Sequence, residues 1–152
     1  MPKDIVEAYA LAVKARESCT RKAFETVVDF CENDLKCSAD VSQKRNTLLL
    51  WSYDRLAQSF VRTGNYGSAY DLWNKALPLA PSNEIKLKLG MQMMEAADKG
   101  FANMREKASR IVETASVLQK VYRDNKDYAN ATKMQKLIDN ASALLIQSKV
   151  KN

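Results

Sequence analysis

Backbone punctuation is scarce in this chain, and that scarcity limits its fold more than any other feature. Glycine and proline are the residues that turn or end regular structure. The 152 residues contain four glycines and three prolines, so long helices are expected. No Gly or Pro occurs between residues 39 and 62. No segment sustains the period-two alternation of a strand, whereas apolar residues recur at spacings of three and four throughout. The expectation is an all-α chain of about seven helices, joined mostly by short connections and therefore packed as antiparallel neighbours. One domain spanning 1–152 is expected at this length, burying roughly 68–70% of its unfolded surface and needing no staples.

The segments can be placed from their stripes and caps. Asp4 and Glu7 form a capping-box pattern ahead of Ile5, Ala8, Ala12 and Ala15. A second helix carries Phe24, Val27, Val28, Cys31 and Leu35. Cys37-Ser38-Ala39-Asp40 reads as a turn, with Ser38 or Asp40 capping the next helix. That helix bears Leu49, Tyr53, Leu56 and Phe60 and ends at Gly64, which can take the left-handed conformation of a C-cap. Its partner carries Tyr66, Ala69, Tyr70, Trp73, Ala76 and Leu77, and is stopped by Pro78 and Pro81. Ser82 can cap a helix bearing Ile85, Leu89, Met93, Ala96 and Ala97, closed by Gly100. Phe101, Met104, Ala108, Ile111, Ala115, Leu118 and Tyr122 form the longest amphipathic stripe. After a polar break at Asp124-Asn125-Lys126-Asp127, a last helix carries Tyr128, Ala131, Met134, Ile138, Ala141 and Leu145.

Leu50–Asn83 is 34 residues long, the period of one tetratricopeptide repeat, and it resembles that family position by position. Tyr53 stands at the first aromatic position, Leu56-Ala57 at the Leu-small pair and Phe60 at the next aromatic. Gly64-Asn65-Tyr66 is the turn, followed by Ala69, the large aromatic Trp73, Ala76 and the closing Pro81. Small residues at Ala57, Ala69 and Ala76 would let the two helices approach closely. A degenerate copy at 112–145 places Leu118, Tyr122, Asp127-Tyr128 and Ala131 at the offsets of Leu56, Phe60, Asn65-Tyr66 and Ala69. It departs at Gln135 and Ile138 and lacks the closing proline. The resemblance implies helical hairpins in a partly irregular solenoid.

Chemistry is narrowed by one absence: the chain has no histidine. This removes Ser-His-Asp and Cys-His nucleophile systems, the common zinc sites and histidine pH switching. Four scattered glycines make no phosphate-binding loop. Glu7, Glu17, Glu25, Asp29 and Glu32 are spread along helix surfaces, so no carboxylate pair stands out. Neither catalysis nor a cofactor is expected. The three cysteines, Cys19, Cys31 and Cys37, fit no metal-ligand spacing. Cys31 lies on an apolar stripe, as a buried reduced thiol would, which suits the cytosol. No apolar run resembles a signal peptide or a membrane span. Asn130-Ala131-Thr132 and Asn140-Ala141-Ser142 match the glycosylation pattern but read as helix surface.

Binding of another macromolecule is the remaining expectation. Repeats of this family usually take a peptide or helix on the surface lined by the first helix of each pair. Carried over to the matched repeat, the resemblance implies partner contacts at Trp51, Asp54, Arg55, Gln58, Val61 and Arg62. Trp51 and Val61 would serve as apolar anchors, and Arg55 and Arg62 would grip carboxylates. They do not reproduce the family's Lys/Asn clamp for a C-terminal carboxylate. Trp51 and Val61 can equally be read as packing against helices from residues 1–40. Met93 and Met104 fall on inward stripes and read as core filling rather than as a pliable groove. The leading expectation is an adaptor or chaperone that binds a protein partner. Its alternative is a regulatory protein whose basic C-terminal helices contact nucleic acid. The net charge is +6, and residues 82–152 hold thirteen Lys/Arg against eight Asp/Glu. Arg105, Lys107, Arg110 and Lys120, Arg123, Lys126 are the candidate phosphate contacts, interleaved with Glu106, Glu113 and Asp124. Leu144 and Leu145 on the last helix leave homo-oligomerisation open.

Overall fold

The computed structural model describes residues 2–18, 21–34 and 39–150. Among them are seven α-helices and no strand. The helices are α1 (Ile5–Ser18), α2 (Arg21–Asp29), α3 (Ala39–Arg62), α4 (Tyr66–Ala76), α5 (Asn83–Gly100), α6 (Met104–Asp124) and α7 (Tyr128–Val150). Each packs chiefly on its neighbours in the chain, and α1 also rests on α3.

Helix starts follow the local chemistry. The Glu7 amide donates to Asp4 Oδ1 at 2.9 Å, and the Lys3 amide donates to Glu7 Oε2 at 2.7 Å. This satisfies donors that the first turn leaves unpaired. Ser82 Oγ accepts from the Ile85 amide at 3.3 Å, and Asn103 Oδ1 from the Arg105 amide at 2.9 Å. Helix α3 opens at Ala39, so Asp40 lies inside its first turn instead of capping it. Ser38, the other expected cap, is outside the described residues, as are Leu35, Cys19 and Cys37.

Helix α2 departs from a plain 3.6 period. It continues into a wide turn with π-helical bonding over Phe30–Asp34. The extra residue per turn brings Phe30 and Cys31 into the core side by side, below Phe24 and Val27. Cys31 is buried, as its stripe suggests.

Helices α3 and α4 form a hairpin closed by a Schellman turn. The Asn65 amide donates to Phe60 O at 2.8 Å, and the Gly64 amide to Val61 O at 3.0 Å. Gly64 takes φ +81°, which only glycine adopts without strain. The α6–α7 turn repeats this geometry. There the Asp127 amide donates to Tyr122 O at 2.8 Å and the Lys126 amide to Arg123 O at 2.9 Å, with Lys126 at φ 60°. Ala57, Ala69 and Ala76 of the α3–α4 hairpin are wholly buried, as is nearly all of Trp73, while the buried Tyr70 reaches Thr114 of α6 at 2.9 Å.

Helix α5 stands singly between the two hairpins. A short 3₁₀ turn at Leu77–Leu79, containing Pro78, leads towards it. Its glycines are set by packing. A Cβ on Gly90 would lie 2.4 Å from Leu118 Cδ2, and one on Gly100 would lie 2.8 Å from the Gly67 backbone nitrogen. Gly100 therefore closes α5 through close approach to the start of α4, with no left-handed residue.

The α6 stripe is buried at Ala108, Ala115 and Leu118, joined by Thr114 and Val121. Met104 and Tyr128, both expected inward, are 66% and 65% exposed. Each is the first residue of its helix, and helical side chains lean toward the N-terminus, where no preceding turn covers them. Helix α7 meets α6 through Ala131 and Ala141. Asn130 and Asn140 both lie on it, and Asn130 donates to Asp127 Oδ2 at 2.7 Å.

Candidate functional site

Helices α3 and α5 flank a groove whose base includes Trp73 of α4. Two adjoining hollows make it up. One, of about 300 Å³, is lined by Gln58, Val61, Arg62, Tyr66, Trp73, Gln92, Glu95 and Ala96. The other, of about 230 Å³, is lined by Thr47, Leu50, Trp51, Asp54, Ile85, Lys88, Leu89 and Gln92. Gln92 belongs to both. The α3 members follow one another at steps of one, three or four and those of α5 at steps of one or three, so each helix contributes one face. From Thr47 to Arg62 the groove follows α3 for about 22 Å.

Five of the six residues implied by the resemblance meet here: Trp51, Asp54, Gln58, Val61 and Arg62. Arg55 does not. It lines a separate cleft on the α1–α2 side of α3, together with Arg16, Arg21 and Arg62. Trp51 serves two surfaces. Its ring packs edge-on against Phe24 of α2, with centroids 5.6 Å apart, while it also lines the groove. Both readings of that residue thus hold in part.

Asp54 acts within the protein. Its Oδ1 accepts the Trp73 indole N–H at 2.9 Å and its Oδ2 accepts from Gln58 at 2.9 Å. These bonds fix the aromatic floor and one polar wall. Tyr66, Trp73 and the α5 residues Ile85, Lys88, Gln92 and Glu95 were not anticipated as groove residues. The α5 stripe at 85 and 89 was visible, but nothing local indicates that it faces α3.

Gln92, shared by the two hollows, carries a polar atom without a partner. Gln92 Oε1 is buried and accepts no hydrogen bond. Such an atom costs about 1–3 kcal/mol until a donor reaches it. Gln92 sits at the junction of the hollows, between an apolar end at Leu50, Ile85 and Leu89 and a polar end at Gln58, Arg62 and Glu95.

Other groups are engaged elsewhere. Tyr53 donates a short hydrogen bond to Glu32, whose carboxylate also lies 3.9 Å from Lys75 Nζ. Burial, and then the Glu32 bond, hold the Tyr53 phenol well above its ordinary pKa. Neither Tyr53 nor Glu32 lines the groove. On α6, Lys107 pairs with Asp98 at 3.6 Å and Arg110 with Glu113 at 3.5 Å. The Arg110 guanidinium also lies 5.6 Å from the Tyr70 and Phe101 rings. Two bases of the first candidate phosphate cluster are thus occupied within the fold. Among the described residues, no group of three or more Cys, Asp or Glu gathers as a metal-ligand set, and no helix is long and apolar enough to cross a membrane.

Compared with known proteins, the chain matches no family model, no curated protein and no solved structure.

Proposed function

We propose that this protein is a non-catalytic interaction module, an adaptor or chaperone of the cytosol, that holds a peptide or helix of a partner protein in the α3–α5 groove. The observation that carries the reading is the half-apolar groove, with Gln92, whose buried Oε1 has no partner, at the junction of its two hollows. A peptide N–H is the donor that such an acceptor needs, and the flanking apolar wall suits a side chain on either side of it. About 22 Å of groove accommodates roughly six or seven residues of extended chain or four turns of helix. The similarity of residues 50–83 to a tetratricopeptide repeat supports the same reading. Trp51 and Val61 act as apolar contacts, Gln58 and Gln92 as hydrogen-bonding walls and Arg62 as a grip for an acidic side chain. Asp54 acts by positioning Trp73.

The test is recovery of protein partners from lysate of the source cell on wild-type protein and on a Val61→Glu/Gln92→Arg variant, which fills and charges the groove. A stoichiometric protein partner should bind the wild type and be lost from the variant. Retention of that partner by the folded variant would remove the groove from the proposal. The nucleic-acid alternative separates by salt. Binding to duplex DNA would weaken with a log–log slope near roughly −0.9 per neutralised phosphate, and a partner held in a half-apolar groove would respond far less.

A further inference from the structure

Beside the groove on α3, and sharing Arg62 with it, a cleft between α1, α2 and α3 collects four arginines. Its lining is Ala15 and Arg16 of α1, Arg21 and Phe24 of α2, and Arg55, Ser59 and Arg62 of α3. Arg55, Ser59 and Arg62 follow one another at spacings of four and three, a single stripe of α3. Among the described lining residues there is no carboxylate. Four arginines lining one small space repel each other.

Arg21 and Arg55 are engaged by the protein in different ways. Arg21 Nε donates to Ser59 Oγ at 2.8 Å and its Nη2 to Ser59 O at 3.1 Å, and its guanidinium lies 4.2 Å from the centre of the Phe60 ring. Arg55 stands 5.9 Å from the Trp51 ring, and its Nε is buried without a hydrogen-bond acceptor. A desolvated guanidinium N–H with no acceptor is an uncompensated positive group, and it gains most from an anionic oxygen.

We propose that this cleft binds a phosphoryl group as its dianion. The volume is about 50 Å³, enough for one small anion or a few waters and too little for a base or sugar. Arginines of three helices line that space. That arrangement matches the three-dimensional oxygens of a phosphoryl group better than a planar carboxylate, which one arginine fork can satisfy alone. The phosphoryl group comes either as free phosphate or as a phosphorylated side chain. Arg62 lines both this cleft and the groove.

The test follows amide and arginine Nε–H resonances of the full chain during titration with inorganic phosphate, against sodium chloride at equal ionic strength. A phosphoserine peptide and its unphosphorylated counterpart form the second arm. Saturable shifts centred on Arg21, Arg55, Ser59 and Arg62 are expected with phosphate and not with chloride. Affinity should fall several-fold between pH 7.5 and pH 5, because a phosphomonoester loses its second charge near pKa ~6. Arg21→Gln/Arg55→Gln should lose at least tenfold. Should that variant unfold, Arg62→Gln alters only an exposed side chain and should still lose about threefold or more. Tighter binding of the phosphopeptide than of phosphate assigns the site to a phosphorylated protein segment. Equal or weaker binding assigns it to the free ion. Shifts that chloride reproduces, that never saturate, or that survive the arginine substitutions overturn the proposal. Loss of the groove reading would leave this result untouched, since Arg21 and Arg55 do not line the groove.

Discussion

Trp73 is held from two sides. Its ring is 4% exposed, and its indole N–H donates to Asp54 across the α3–α4 hairpin. Removing the ring leaves a large void in a close-packed core, so Trp73→Ala is expected to cost roughly 3–5 kcal/mol in urea unfolding. A loss under about 1 kcal/mol would mean that the ring is not core. The hydrogen bond can be isolated separately. Asp54→Ala should cost about 1–3 kcal/mol, because it strands a buried donor. In a Trp73→Phe background the same change should cost clearly less, since no N–H remains to be stranded. At this level the sequence was informative about Trp73, whose size and register with Ala69 and Ala76 mark it as core. For Asp54 the resemblance implied a partner contact and did not show its bond to Trp73. An aspartate one residue after Tyr53 on α3 looks solvated until the α4 indole is placed beside it.

The two hairpins end their first helices with the same turn, built from different residues. Gly64 at φ +81° and Lys126 at φ 60° occupy equivalent places. A side chain in this region costs roughly 1–2 kcal/mol, and glycine offsets part of its own advantage by a larger entropy loss on folding. Lys126→Gly should therefore stabilise the protein by about 0.5–1 kcal/mol, raising Tm by roughly 1–4 °C, whereas Gly64→Ala should destabilise it by about 1 kcal/mol. An unchanged or lower Tm for Lys126→Gly would show that the lysine side chain makes contacts offsetting the strain. A second element-level test concerns the α5–α6 crossing. Alanine at Gly90 gains about 1 kcal/mol of helix propensity, but its methyl would lie 2.4 Å from Leu118 Cδ2, and Leu118 is wholly buried. Overpacking of about 1–3 kcal/mol should win, so Gly90→Ala is expected to destabilise in denaturant unfolding. The shared offsets of Leu118, Tyr122 and Asp127 already pointed to a repeated turn. The role of Gly90 was hidden, because an isolated glycine in a helical pattern carries no sign of what crosses it.

Stability of the whole molecule should depend on alkaline pH through its tyrosines. The Tyr53, Tyr70 and Tyr9 phenols all lie above the ordinary value of 10.0, each chiefly through burial. A group whose pKa is raised on folding contributes its full stability below the unfolded value and loses it as pH climbs past that value. Urea midpoints should therefore hold to about pH 10 and fall beyond it. Tyr53→Phe should reduce that fall, separating it from lysine deprotonation in the same range. A Tyr53→Phe profile parallel to wild type above pH 10 would contradict the assignment.

Most of the architecture lay within reach of local reasoning. Helix formation, stripe and cap each depend on residues a few positions apart, so seven helices, the Gly64 turn, the Pro78 stop and the Ser82 cap can be read along the chain. Helix α2 departs at Phe30 because a π-type turn changes the period itself. What a stripe faces is a different matter, since it depends on helices that meet across tens of residues. Packing of the helices turned Arg55 toward α1 and α2, set α5 opposite α3, and left Met104 and Tyr128 uncovered. The groove and the arginine cleft both arise at such meetings. A single helix carries the periodicity that defines a face, and only packing against its neighbours gives that face a floor and opposing walls.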